Sequence, residues 1–104
     1  MTDNQKAAVK WLNDRVNMIM SADDLQRLGI PVNDSLHLTQ RLQIFGLYHL
    51  YKLIGYELGL VLDFATRDDE DYPNKVFFMY KDIEFFEVLT DEEREEIENA
   101  ITSN

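Results

Sequence analysis

Four consecutive carboxylates, Asp68 to Asp71 in the segment ATRDDEDYPNK, are the densest group of chemically capable side chains in the sequence. Such a group could bind a cation, imitate a phosphate backbone or form a solvated turn. A calcium loop of the EF-hand kind supplies about six to eight oxygens from alternating positions around a glycine. This segment has no glycine, and neighbouring side chains of an extended chain point apart. We therefore expect no metal site and favour a hairpin loop turned by Pro73 and Asn74.

The other residues capable of catalysis form no recognisable pattern. On a continuous helix His37 and His49 would be about 18 Å apart, too far to share one metal ion or one proton. His49, Lys52 and Glu57 could form a buried acid–base cluster, but a partly exposed polar edge is the favoured interpretation. No glycine-rich phosphate loop, HExxH pattern or Ser/His/acid order is present. We therefore predict that the protein is not an enzyme and has no cofactor. A small enzyme that uses carboxylates, or a metal-binding protein, is kept as a hypothesis behind the two binding functions described below.

The elements that must position these residues are predicted to form one α+β domain over residues 1–104. Apolar residues at helical spacing predict a first helix within 2–20. Ser21 is the expected N-cap of a short helix, 22–28, which stops at Gly29 because Pro31 prevents its continuation. A third helix, 36–58, is apolar on nearly all sides. Three residues are good N-caps for it, namely Asn33, Asp34 and Ser35.

After Gly59 the apolar pattern changes from helical spacing to alternation. Strands are predicted at 60–66, 75–80 and 82–89, with a tight turn at Lys81-Asp82. The pair Phe85-Phe86 breaks the alternation, which indicates a bulge or a strand covered on both faces. A helix over 76–89 is the alternative, but clustered aromatic and β-branched residues favour strands.

The closing segment TDEEREEIENAI predicts a helix with Thr90 as N-cap and Glu93 completing a capping box. The predicted architecture is therefore three N-terminal helices, a small antiparallel three-stranded meander and a C-terminal helix. The order of elements indicates that the acidic segment 68–71 joins two strands of the meander.

The net charge of −10 comes entirely from one half of the chain. Residues 1–56 hold five acids and six bases, whereas residues 57–104 hold fifteen acids and four bases. Asp91, Glu92 and Glu93 complement the dipole of the last helix. Nine carboxylates are left for which we expect no structural need: Asp68, Asp69, Glu70, Asp71, Asp82, Glu84, Glu87, Glu95 and Glu96.

These nine carboxylates are predicted to lie along one face, with Tyr72, Tyr80 and Phe86 interleaved, and to contact a basic partner protein. Tyr72 and Tyr80 are the candidate anchors, because binding hot spots are often aromatic. A dense carboxylate array repels nucleic acid itself and can compete for a groove that binds phosphates. No direct binding of nucleic acid by this chain is therefore expected.

In size and charge the chain resembles small acidic proteins of phages and mobile elements that block restriction or CRISPR nucleases. It is similar in the same way to nuclease-immunity proteins. The resemblance is one of composition, with no motif in common. It implies a nucleic-acid enzyme as the partner, and inhibition by nucleic-acid mimicry as the function.

The alternative function is a structural or regulatory homodimer built on the apolar helix 36–58, with an acidic surface that serves only solubility. The run at 42–62 is long enough to span a membrane, but Lys52 and Glu57 near its middle would cost about 2.5–3.5 kcal/mol each. No membrane association is therefore expected. Because the first residues lack the apolar core of a secretory signal, we predict a cytoplasmic location.

Overall fold

The computed structural model describes residues 1–27 and 40–103. Over this part of the chain the helices and strands are, in order, α1 Asp3–Arg27, β1 Gln40–Gln43, α2 Leu47–Leu58, β2 Asp63–Thr66, β3 Asn74–Tyr80, β4 Ile83–Leu89 and α3 Asp91–Thr102. Helices are thus combined with a four-stranded sheet in the order β1-β4-β3-β2. The strands β2, β3 and β4 pair antiparallel in chain order, whereas β1 pairs parallel with β4.

The predicted architecture of three N-terminal helices, an antiparallel three-stranded meander and a C-terminal helix is wrong. The sheet has a fourth strand and is mixed, and the helices lie at the beginning, in the middle and at the end of the chain. The helix α1 continues through Ser21 as far as Arg27, because residues 22–27 contain neither glycine nor proline to interrupt it. The expected stop at Gly29 and Pro31 lies outside the described residues.

Of the described part of the predicted helix 36–58, residues 40–58, only Leu47–Leu58 is helical. Residues 40–43 form β1, and their side chains alternate between half-buried and exposed, as those of a strand do. Gly46 then has a φ of +70°, a left-handed conformation that cannot belong to a right-handed helix. The first residues of the predicted helix, 36–39, and its three candidate N-caps lie outside the described part of the chain.

The core lies on one face of the sheet. Phe78 of β3 is paired with Phe85 of β4, with ring centroids 5.7 Å apart. Ile97 of α3 packs against the same cluster, so each of the three described helices contributes to this face. The buried hydrophobic residues are Leu12, Val16, Ile44, Leu47, Ile54, Leu60, Val76, Phe78, Ile83, Phe85 and Leu89.

The prediction of strands rather than a helix over 76–89 is confirmed. The structure also decides between a bulge and a regular strand at Phe85-Phe86. The pairing of β3 with β4 runs without interruption through Phe85 and Phe86, so the break in alternation is not a bulge. The tight turn is confirmed as well, because Lys81 and Asp82 have φ values of 50° and 65°. Two successive positive φ values are those of a type I′ hairpin turn.

The capping box at the start of α3 is also confirmed. The backbone N–H of Glu93 donates to Thr90 Oγ1, and that of Thr90 donates to Glu93 Oε1, at 3.1 and 3.0 Å. The same reciprocal arrangement joins Thr2 and Gln5 at the start of α1. In the described ranges, no helix is both long enough and apolar enough to cross a membrane.

Candidate functional site: an acidic end of the sheet

The four consecutive carboxylates lie in the loop between β2 and β3, and this loop is closed by its own residues. At its base, the backbone N–H of Arg67 donates to the carbonyl of Pro73 at 2.7 Å. The Arg67 guanidinium also donates to the carbonyl of Tyr72, again at 2.7 Å. The basic residue nearest in sequence to these carboxylates therefore holds the loop backbone together.

Asp69 organises the loop from inside. Its Oδ1 accepts hydrogen bonds from the backbone N–H groups of Tyr72 and Asp71, at 2.8 and 2.9 Å. The hydrogen bond from the Tyr72 N–H is the main reason that the pKa of Asp69 lies below its ordinary value. Desolvation acts in the opposite direction, while the hydrogen bond from Asp71 and the charge of Arg67 lower the pKa further. Asp69 thus has an internal role, which leaves Asp68, Glu70 and Asp71 exposed around it.

Asn74 joins the end of this loop to the start of α3. It is the first residue of β3, is 4% exposed and pairs with Leu89 at the end of β4. Its amide nitrogen donates to Asp91 Oδ1 at 2.7 Å, and its amide oxygen accepts from Arg94 at 2.8 Å. Arg94 also pairs with Glu98 at 2.6 Å. The loop and α3 are therefore fixed side by side.

We call residues 67–73 together with 91–99 the acidic end of the molecule. These residues include ten carboxylates and two basic residues, Arg67 and Arg94, giving a net charge of −8. All of the ten except Glu98 belong to exposed residues. Since both arginines are engaged in internal contacts, most of this charge faces solvent uncompensated.

Two of the predicted site residues lie at the other end of β3. Tyr80 is the last residue of that strand and Asp82 lies in the turn after it, about 20 Å from the acidic loop at roughly 3.3 Å per residue. The hydroxyl of Tyr80 donates to Asn13 of α1 at 2.8 Å. Tyr80 therefore fastens α1 to the sheet, whereas Asp82 is exposed.

Glu84 lies on the face of the sheet opposite the core, where it is 7% exposed. Its carboxylate pairs with Lys75 at 3.0 Å and with Arg41 of β1 at 3.5 Å. Lys75 also lies 4.9 Å from the ring centroid of Phe77, on that same face. The expectation that Glu84 lacks a structural role is therefore wrong, because a buried carboxylate needs partners of this kind.

Glu87 has a third kind of internal role, as the N-terminal cap of α2. The N-cap position of that helix is Gly46, which has no side chain to offer. Glu87 reaches from β4 instead and accepts from the backbone N–H groups of Gly46 and Leu47, at 3.0 and 3.2 Å. A carboxylate here also complements the positive end of the helix dipole. Glu87 is therefore structural, contrary to expectation.

The predicted single face is thus divided, and seven of its residues remain together at the acidic end: Asp68, Asp69, Glu70, Asp71, Tyr72, Glu95 and Glu96. Tyr72 is 45% exposed, as an aromatic contact residue should be. Glu96 borders a groove of about 210 Å³ between α3 and the start of α2, with His49 and Glu93. Among the described residues, no three carboxylate or histidine side chains are arranged to hold a metal ion.

Sequence reasoning missed Asn74 and Arg94, which hold the acidic end together. Asn74 was expected only to help turn the loop, and its burial between strand and helix becomes visible only when β3 and β4 are paired. Arg94 forms an i, i+4 pair with Glu98 on the same helix, and its contact with Asn74 of β3 has no signal in the sequence of α3. Comparison with known proteins found no matching family, no similar curated protein and no similar solved structure.

Proposed function

We propose that this protein is a non-catalytic binding protein whose acidic end docks on a basic, nucleic-acid-binding partner. The observation that carries the proposal is the concentration of charge: residues 67–73 and 91–99 account for −8 of the net −10. Such a surface attracts positively charged proteins and accelerates their association. It repels nucleic acid itself, and many of the positively charged surfaces of proteins serve to bind phosphates, so we expect the partner to be a nucleic-acid-binding protein.

The internal bonds of the acidic end support this function. Carboxylates on a mobile loop would lose conformational freedom on binding, and that loss would weaken association. Here Asp69 and Arg67 hold the loop, and Asn74 fastens α3 beside it. The exposed carboxylates of Asp68 and Glu70 are therefore presented from a backbone that is already ordered.

Competition with nucleic acid follows from the density of these charges. Duplex DNA carries about one negative charge per 1.7 Å of its axis, and its partners meet it with clustered Lys and Arg side chains. A group of ten carboxylates offers the same partners an alternative ligand. We infer that the protein inhibits a nucleic-acid enzyme by occupying its phosphate-binding groove, with Tyr72 as an aromatic anchor at the centre of the contact.

The proposal is tested by capturing partners from a nuclease-treated bacterial lysate at about 50 and about 300 mM salt, since ionic contacts weaken as the Debye length shrinks. A captured protein must also be released by added duplex DNA or structured RNA. The test variant carries Asp68→Asn, Glu70→Gln and Asp71→Asn, and spares Asp69 because of its internal role. We expect this variant to lose the partner.

A matched control removes the same number of charges elsewhere. The exposed residues Glu57, Asp63 and Asp82 can be changed to Gln, Asn and Asn, and asparagine tolerates the positive φ of position 82. The control should retain the partner. Equal losses in both variants would mean that binding follows total charge, and retention in both, or a complex that nucleic acid cannot displace, would contradict mimicry by the acidic end.

A further inference from the structure

Phe45 is an almost fully exposed aromatic residue on the short loop between β1 and α2. It is 88% exposed, although Ile44 and Leu47 around it are 6% and 0% exposed and belong to the core. The backbone N–H groups of Ile44 and Gly46, on either side of Phe45, donate to residues of β4 at 2.9 and 3.0 Å. The loop therefore presents this ring to solvent from an ordered backbone.

The strand order places Phe45 beside the acidic end. Because β1 is parallel to β4 and Gln43 pairs with Phe86, the loop after β1 emerges at the end of the sheet where β4 is followed by α3. Asn74 begins β3 at the same end, directly after the acidic loop. Only β4 lies between β1 and β3, so about 10 Å, or two strand spacings, separates the two loops. Phe45 and Tyr72 are thus exposed aromatic residues at one end of the sheet.

A groove connects Phe45 with the acidic end. It is the groove of about 210 Å³ between α3 and the start of α2, and Gly46, the residue after Phe45, lines it. Its other lining residues include two apolar side chains and three carboxylates, which are Leu89, Ile97, Glu87, Glu93 and Glu96. Among the described residues, no lysine or arginine lines it. Such a lining suits an arginine side chain, whose methylene groups pack on apolar surface while its guanidinium pairs with carboxylates.

We propose that Phe45 is a second aromatic anchor of the acidic end, and that the partner's contact segment combines arginine side chains with an apolar one. The inference rests on the proposed function and specifies the chemistry of the partner. Arginines meet the exposed carboxylates and one enters the groove, while the apolar side chain packs on Phe45. Two observations select this occupant, namely the continuity of Phe45 with the acidic end and the carboxylates that line the groove between them.

Phe45 supplies a selectivity that carboxylates alone lack. A surface of carboxylates attracts clustered positive charge wherever it occurs, and such contacts are screened by salt. Covering an exposed ring adds apolar burial, which screening does not weaken. Binding hot spots are often aromatic for this reason. Phe45 therefore favours a basic partner that carries an apolar side chain over other basic proteins.

The test uses two synthetic peptides that differ only in their apolar content, a nonapeptide of arginine with one central leucine and the same peptide with a central glycine. Each is titrated into the isotope-labelled protein at about 50 mM salt, where ionic contacts are strong. Amide chemical shifts give the Kd and the contact site. We expect the leucine peptide to bind about 3- to 10-fold more tightly, because roughly half of a leucine side chain is buried on Phe45. The amides of Phe45 and Gly46 should shift more with the leucine peptide.

Substitutions at position 45 show whether the ring is responsible for the preference. Phe45→Ala should remove the preference for leucine, whereas Phe45→Leu should retain most of it because an apolar contact surface remains. Tyr56→Ala is the matched control. Tyr56 is 96% exposed but lies about 14 Å along α2 from its start, so this variant should keep the preference. Circular dichroism checks that each variant is folded.

The variant that carries Asp68→Asn, Glu70→Gln and Asp71→Asn separates this inference from the proposed function. It should bind both peptides more weakly and keep the preference for leucine. Equal affinity of the parent for the two peptides, or a preference that survives Phe45→Ala, would overturn the role of Phe45 and leave the proposed function standing. If the neutralised variant binds both peptides as tightly as the parent, the proposed function fails while the role of Phe45 stands. If neither peptide binds the parent, both are overturned.

Discussion

Replacing Glu87 with alanine should destabilise the whole fold, because its carboxylate caps α2 from a neighbouring strand. The change removes the acceptor for the N–H groups of Gly46 and Leu47, which donate at 3.0 and 3.2 Å. A hydrogen bond to a charged group contributes about 1.5–3 kcal/mol, and loss of an N-cap side chain costs about 0.5–2 kcal/mol. Glu87 is half-buried and water can replace part of the loss. We therefore expect about 2 kcal/mol.

The assay is urea unfolding followed by circular dichroism, with thermal unfolding as a second measure. For a domain of this size, about 2 kcal/mol corresponds to a fall in Tm of about 8–16 °C. Glu87→Gln retains one acceptor oxygen but loses the charge that complements the helix dipole, so we expect about half the effect. Glu95→Ala is the matched control, because Glu95 is exposed on α3.

Amide exchange locates the effect within the molecule. If Glu87 caps α2, the N–H groups of Gly46 and Leu47 are protected in the parent and exchange faster in Glu87→Ala. A loss of less than about 0.5 kcal/mol, equal to that of an ordinary surface substitution, would refute the capping role. Glu87 would then return to the set of carboxylates available to a partner.

Three further predictions concern the acidic end and the hairpin. Asn74→Ala should cost about 1–3 kcal/mol in thermal unfolding, because it leaves Asp91 and Arg94 without their common partner. Asp69 has a lowered pKa, so its contribution to stability is complete above the ordinary value of 3.8 and disappears as the pH falls through the lower folded-state value. Asp69→Asn should therefore lose less stability than the parent on acid titration. Replacing Lys81-Asp82 by Asn-Gly should raise stability by about 1 kcal/mol in urea unfolding, because both positions have positive φ.

Elements specified by neighbouring residues could be predicted from the sequence. The capping box of α3 needs only Thr90 and Glu93, three residues apart. The tight turn at Lys81-Asp82 follows from the two strand-forming runs that meet there, and the positive φ values of both residues identify its type. In both cases the hydrogen bonds that fix the structure lie within a few residues, so the local pattern contains the information.

The strand β1 could not be predicted in the same way. Four residues, Gln40–Gln43, alternate too briefly to outweigh the apolar helical pattern that follows them. Their pairing joins Leu42 to Phe85, more than forty positions later, and is parallel. The same distance separates Gly46 from its cap, Glu87. Neither the strand nor the cap has a signal within its own segment.

The predicted strand 82–89 was nevertheless sufficient to show that Glu84 and Glu87 do not share one surface. Glu84 and Glu87 are three residues apart, and successive side chains of a strand point to opposite faces. They therefore cannot belong to one surface of an unbulged strand, and the uninterrupted pairing of β4 shows that there is no bulge. The predicted single face was inconsistent with its own strand assignment.

The run of four carboxylates at 68–71 does not form the acidic end by itself. The pairing of β3 with β4 brings this run beside the acidic residues of α3. Since β3 and β4 are antiparallel neighbours, Asn74 at the start of one pairs with Leu89 at the end of the other. The loop before β3 and the helix after β4 must then emerge at the same end of the sheet. Two acidic segments that are almost twenty residues apart in the chain become adjacent, while Asp82 is carried to the opposite end. A partner that recognised charge density alone would therefore meet the molecule at this end first.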